Sequence, residues 1–172
     1  MKKYRTIETL SAVSLMLSKY FLAISSIFGW WLSITGYTLA TLLNIKIKLR
    51  IISTITVGLA LLSTYGLYKW INKVPGLQFI DFAIIALSIM FAMILIITEA
   101  KQRKPFWVIQ SITTLAFGSA FIFLGMKMEI GWYALLIGHI NNGYLYYRKE
   151  AFIIASMQVV SIVIVVVRLF HN

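Results

Sequence analysis

Eight residues within one short stretch carry most of the chemistry in this chain. Trp132, His139, Asn141, Asn142, Tyr144, Tyr146, Tyr147 and Gln158 lie between positions 131 and 158, inside an otherwise apolar sequence. At 100° per residue, Trp132, His139, Asn142 and Tyr146 share one helical face with Leu135 and Gly143, and Asn141 points away. Such a face can stack a planar ring against Trp or Tyr and fix the ring's polar edge through Asn and His. Gly143 leaves space beside it. Gln158 on the following helix and Gln110 on the preceding one converge on this face if the three helices pack together, with Trp107 at the head of the earlier helix. Polar groups at membrane depth are costly and usually face a bundle interior or a water-filled cavity. The competing reading is structural. A lone intramembrane His is often a hydrogen-bonded strut, and Asn and Gln join helices. Tyr144 and Tyr147 fit an interfacial aromatic belt.

Other chemistry is poorly represented. Cysteine is absent, and the two histidines are His139 and His171, the latter next to the chain end. Thiolate sites, disulfides and clustered metal ligands are therefore not expected. No phosphate-binding loop or dinucleotide fingerprint occurs, paired carboxylates are missing from the spans, and no cofactor is implied. The chain does not read as an enzyme.

The composition says where these residues must sit. Hydrophobic residues make up 60% of the 172 and charged ones 12%, about half the usual share for a soluble domain. The apolar runs are continuous and of helix-spanning length, without the ten-residue alternation of a membrane barrel. The net charge of +11 gathers at the ends of these runs, where basic residues anchor helices at the membrane surface, and it forms no stripe of the kind that grips nucleic acid. No cleavable leader is evident.

This pattern predicts an all-α integral membrane protein with six transmembrane helices in two three-helix units. A basic lead-in over 1–19 is read as an interfacial helix. The first unit covers 20–98, with spans at 20–44, 51–70 and 79–98. The second covers 105–172, with spans at 105–125, 131–147 and 152–170. The stripe Ser26, Trp30, Ser33, Tyr37, Thr41 and Asn44 is expected to face the bundle. Lys69 is read as snorkelling from an aromatic belt, Pro75-Gly76 as a turn, and Asp81 as a helix cap rather than a proton carrier. With six spans the basic residues divide evenly. Lys2, Lys3, Arg5, Lys19, Lys69, Lys73, Lys127 and Arg168 fall on one side, and as many on the other, so orientation stays open.

The second half resembles a known family. Phe106-Trp107 opens a span, Trp132 begins a short helix with an Asn-containing aromatic end, and Lys149-Glu150-Ala151 leads into a last helix. This is similar to the C-terminal three-helix unit of Pnu-type nicotinamide riboside/nicotinamide mononucleotide transporters, of the SWEET-like three-helix-repeat group. The segment from Tyr65 to Trp70 resembles a helix ending of the same family. The resemblance covers residues 105–170 well and implies pocket roles for Trp107, Trp132, Asn142 and Gln158. It also implies seven core spans, one of them a linker. Six are read here, which leaves open a further span before Lys46.

The expected function is facilitative uptake of a small polar or aromatic metabolite such as nicotinamide riboside, by a multi-pass protein of the cell (inner) membrane. The expected substrate-binding residues are Trp107, Gln110, Trp132, His139, Asn142, Tyr146 and Gln158. Lipid and a small solute are the expected partners, nucleic acid is not, and homo-oligomerisation is left open. The alternative is a non-transporting membrane subunit or the substrate-capture subunit of a multi-component importer.

Overall fold

The computed structural model describes residues 5–46, 50–73, 78–101, 107–148 and 152–171, without the side chains of 50–52, 99, 152 and 153. These residues form seven α-helices: α1 Arg5–Ala23, α2 Phe28–Lys46, α3 Arg50–Ile71, α4 Phe79–Lys101, α5 Trp107–Gly125, α6 Ile130–Arg148 and α7 Phe152–Phe170. Lys2, Lys3, Lys48, Pro75-Gly76, the basic run 102–104, Pro105-Phe106 and Lys149-Glu150-Ala151 lie outside the described residues.

The described residues form seven helices, against the expected interfacial lead-in and six spans, and what changes is a boundary before Lys46. The single span read over 20–44 is two helices, and the lead-in is most of α1. The break is made without Gly or Pro. Ser25 adopts a left-handed backbone, φ 56°. Its N–H donates to the Leu22 carbonyl at 2.9 Å, and the Ser26 N–H donates to Phe21 at 2.7 Å. Those two bonds are the Schellman closure of a helix C-terminus. The Ser26 hydroxyl then accepts from the Phe28 N–H at 3.4 Å, as a side chain ahead of a new helix can.

The same closure ends α5. Lys127 has φ 58°, and its N–H donates to Leu124 at 3.0 Å while that of Met128 donates to Phe123 at 2.8 Å. The correspondence extends into the next helix, since α6 begins 102 residues after α2, at 130 against 28. The packing repeats at the same offset. A Cβ on Gly29 would lie 2.6 Å from Leu22 Cγ, and one on Gly131 would lie 2.8 Å from Leu124 Cγ. Likewise Gly36 packs on Leu15 and Gly138 on Phe117. Glycine at these points lets two helix backbones approach closely. The packing of α1 on α2 therefore recurs in α5 on α6, with α3 and α4 between the two pairs in sequence.

By internal packing the chain divides into two compact units, Met1–Lys73 with Val163–Asn172, and Val74–Ile162. In the first, the stripe predicted to face the bundle does so from Trp30 on, while Ser26 lies in the turn before α2. Trp30, Ser33, Tyr37 and Asn44 are buried, and Thr41 meets Thr56 of α3, hydroxyl to hydroxyl, at 2.8 Å. The Trp30 ring lies against Gly66 of α3 and edge-on to Trp70, with centroids 5.8 Å apart. Two lysines depart from expectation. Lys69 does not snorkel but is 3% exposed, and Lys19, read as a surface anchor, is 2% exposed. In the second unit Asp81 caps α4 as predicted. Its carboxylate accepts from the Gln78 N–H at 2.7 Å, while its own N–H donates to the Gln78 carbonyl at 2.9 Å. That reciprocal pair has the logic of a capping box.

Among the described residues, Phe79–Thr98 and Trp107–Gly125 are long and apolar enough to cross a membrane, and the apolar part of α7, Ile154–Phe170, is shorter. α4 exposes Phe79, Ile80, Phe82, Leu87, Ile94 and Ile97 on several sides. Lipid solvates such a surface at no cost, whereas water would not.

Candidate functional site

The site forms where α5, α6 and α7 meet in the second unit. Its centre is His139 on α6, 3% exposed. His139 Nδ1 lies 2.7 Å from Gln158 Oε1 on α7. A carbonyl oxygen only accepts, so in this arrangement Nδ1 carries the proton and donates. Nε2 is then the lone-pair side of a neutral imidazole. Gln158 keeps its two amide N–H donors. Phe117 of α5 stands edge-on to the imidazole, with centroids 5.1 Å apart and planes at 76°.

Glycines set these distances. Gly138 lets Phe117 close on α6, since a Cβ there would be 2.9 Å from the Phe117 ring. Gly143 is less demanding, since a Cβ there would only touch α7. A Cβ on it would lie 3.4 Å from Gln158 Cβ. The space predicted beside Gly143 is thus taken up by the seventh helix and its glutamine. Missing side-chain volume on a helix is filled by a neighbour wherever one is available.

The other expected site residues are distributed as follows. Trp132 is 5% exposed, two turns from His139 on the same side of α6, about 10 Å along the axis. Asn142 and Tyr146 are half-buried on the continuation of that face. Gln110, on α5, is half-buried as well. Trp107 is the first residue of α5, 36% exposed. It lies ten residues, about 15 Å of helix, from Phe117, and so is not part of the His139 cluster. Tyr144 and Tyr147 are exposed, as an interfacial belt requires. Three hydroxyls of α5 are spent on their own helix. Ser111 donates to Trp107, Thr113 to Ile109 and Thr114 to Gln110, at 2.8, 2.8 and 2.9 Å. Phe117 shares by periodicity the α5 face of Gln110, seven residues on, but was not among the expected site residues.

The arrangement offers a protonated amide edge and an imidazole lone pair among aromatic walls. It holds no nucleophile beside a base. Among the described residues no three His, Asp or Glu side chains gather to hold a metal.

One comparison bears on this geometry. The family model of the nicotinamide mononucleotide transporters matches residues 5–171. The chain belongs to this family. The match runs through all seven described helices, so it covers the first half of the chain as well as the half that carried the resemblance. It makes the protein a membrane transporter and sets the His139–Gln158 cluster within a transport fold. No curated protein and no solved structure matches the chain.

Proposed function

We propose that the protein is a facilitative, multi-pass transporter of the cell (inner) membrane for nicotinamide riboside or a closely related pyridine nucleoside, bound through Trp132, His139, Asn142 and Gln158 with Phe117 as a wall. The observation that carries this is the 2.7 Å contact of His139 Nδ1 with Gln158 Oε1. It fixes an acceptor edge on one residue and leaves donors on the other. A primary carboxamide presents the complement, a carbonyl acceptor and N–H donors. The family's name points to a solute with such a group. The distance from His139 to Trp132 suits a nucleoside better than a bare ring. Trp107, Gln110 and Tyr146 lie further along α5 and α6, and we assign them to the path rather than to ring contact. No feature of the described residues favours a non-transporting subunit.

In this reading α1–α3 and α5–α7 are the three-helix repeats of a SWEET-like transporter and α4 is the link. With all seven helices crossing, Lys2, Lys3, Arg5, Lys46, Lys48, Arg50, Lys101, Arg103, Lys104, Arg148 and Lys149 fall on the N-terminal side, against Lys19, Lys69, Lys73, Lys127 and Arg168 on the other. The positive-inside rule places the N-terminus in the cytoplasm.

The test is binding by the purified protein. Nicotinamide riboside should raise its melting temperature by mass action, and nicotinic acid riboside, which has a carboxylate in place of the amide, should not. Equal response to both, or to neither, overturns the assignment.

A further inference from the structure

The first unit holds a second polar cluster, unlike the first in chemistry. Lys19 of α1 is 2% exposed. Its ammonium stands 5.6 Å from the centroid of the Tyr37 ring on α2, within cation–π range. A ring face offsets only part of what burying a cation costs. On α2, Ser33 lies between Trp30 and Tyr37 on the same side, at three- and four-residue steps. It is 0% exposed, and its hydroxyl has no hydrogen-bond partner among the described residues. Buried hydroxyls are normally satisfied.

The internal repeat shows that packing alone does not ask for these residues. At the same offset of 102, the counterpart of Lys19 is Phe121 and that of Ser33 is Leu135, both 1% exposed. The same helix pair is filled there by apolar side chains. Trp30 and Trp132 are alike in both copies. A cation and an unsatisfied hydroxyl have been placed where a ring and a leucine fit.

We propose that Lys19 and Ser33, with Tyr37 as the wall, form a binding site for a small oxyanion, the phosphate ester or carboxylate of a free solute. The ammonium supplies charge and up to three donors, and the Ser33 hydroxyl supplies one more. This inference concerns the first unit alone and stands or falls apart from the solute assigned to the second.

Inorganic phosphate and acetate, each against chloride at constant ionic strength, are added to the full chain in a phosphate-free sugar detergent, and melting temperature is read. At least one should stabilise the wild type. Lys19→Met should weaken that binding about tenfold or more, Lys19→Arg should retain it, and Ser33→Ala should weaken it less. No response of the wild type to either anion overturns the proposal, as does an unchanged response in Lys19→Met. A response confined to added phosphatidylglycerol also overturns it, because the anion would then be a lipid headgroup. If Lys19→Met does not fold, the wild-type response and the loss in Ser33→Leu, which carries the side chain of the second copy, decide the matter. Nicotinamide riboside binding, measured in parallel, reports on the other site.

Discussion

The contact between His139 and Gln158 can be taken apart with a double-mutant cycle. Gln158→Met keeps length and removes the amide. It leaves the Nδ1–H of a 3%-exposed imidazole without its acceptor. A buried donor stripped of its partner costs about 1–3 kcal/mol. His139→Phe removes the donor instead, in a place where Phe117 already supplies an aromatic neighbour, and leaves the Gln158 carbonyl unmatched at similar cost. With both replaced, no polar group is stranded, and an apolar pair of comparable shape can be nearly neutral. With each single costing about 1–3 kcal/mol and the double near neutral, the coupling should be about 2–6 kcal/mol, the double being more stable than the sum of the singles implies. For a chain of this size about 2–4 °C of melting temperature corresponds to each kcal/mol. The worse single should melt roughly 4–8 °C low, and the double should recover most of that. Thermal unfolding in detergent, followed by tryptophan fluorescence, measures all four proteins. Strictly additive losses would refute the bond. The same four proteins serve for ligand binding. All three variants should lose nicotinamide riboside by about tenfold or more, including the thermally recovered double. A double variant that regained both stability and binding would show the pair to be a strut only.

Further outcomes follow from the packing. Gly66→Ala drives a methyl into the Trp30 ring and should cost about 1–3 kcal/mol in a thermal melt. Gly118→Ala on α5 meets nothing within 4 Å and should be neutral or stabilising by up to about 1 kcal/mol. Lys127→Gly relieves a left-handed backbone and should raise stability by up to about 1 kcal/mol, with ligand binding unchanged. Because the chain has no cysteine, Lys127→Cys and Lys48→Cys give clean single-label topology probes. In intact cells an impermeant maleimide should reach the first and not the second, and the reverse pattern would invert the orientation.

Helices and their membrane setting were legible from hydropathy, because apolar runs of spanning length have no other plausible solvent. The buried stripe of α2 and the cap at Asp81 were legible too, since periodicity and terminal position determine both. The break at Ser25 was not. In a chain that is 60% hydrophobic, a four-residue turn of Ile, Ser, Ser and Ile breaks neither composition nor period. The Schellman closure that makes it is written in backbone bonds rather than in glycine. Missing that break also hid the repeat, although Gly29-Trp30 and Gly131-Trp132 stand 102 residues apart in plain view. At the candidate site, sequence pointed to His139 and Gln158 separately. Their meeting depends on how α7 packs beside α6, and spacing along one helix cannot report which neighbour fills a gap.

The two copies of the motif sharpen the argument about function. Equivalent positions share turns, glycine contacts and a buried tryptophan, so the frame is held in common and differences between the copies report what each is asked to do. Tyr37 and Thr56 in the first stand where His139 and Gln158 stand in the second. In the first, Thr56 meets Thr41, hydroxyl to hydroxyl, and a lysine lies over Tyr37. In the second, glycine replaces Thr41's counterpart at 143, and the longer glutamine reaches across to the imidazole. A structural strut would be satisfied by one solution used twice. Here the second copy carries neutral donors and acceptors of amide character, and the first carries charge and hydroxyls. That divergence on a conserved frame is what separate ligand chemistries require, and helix packing alone does not account for it.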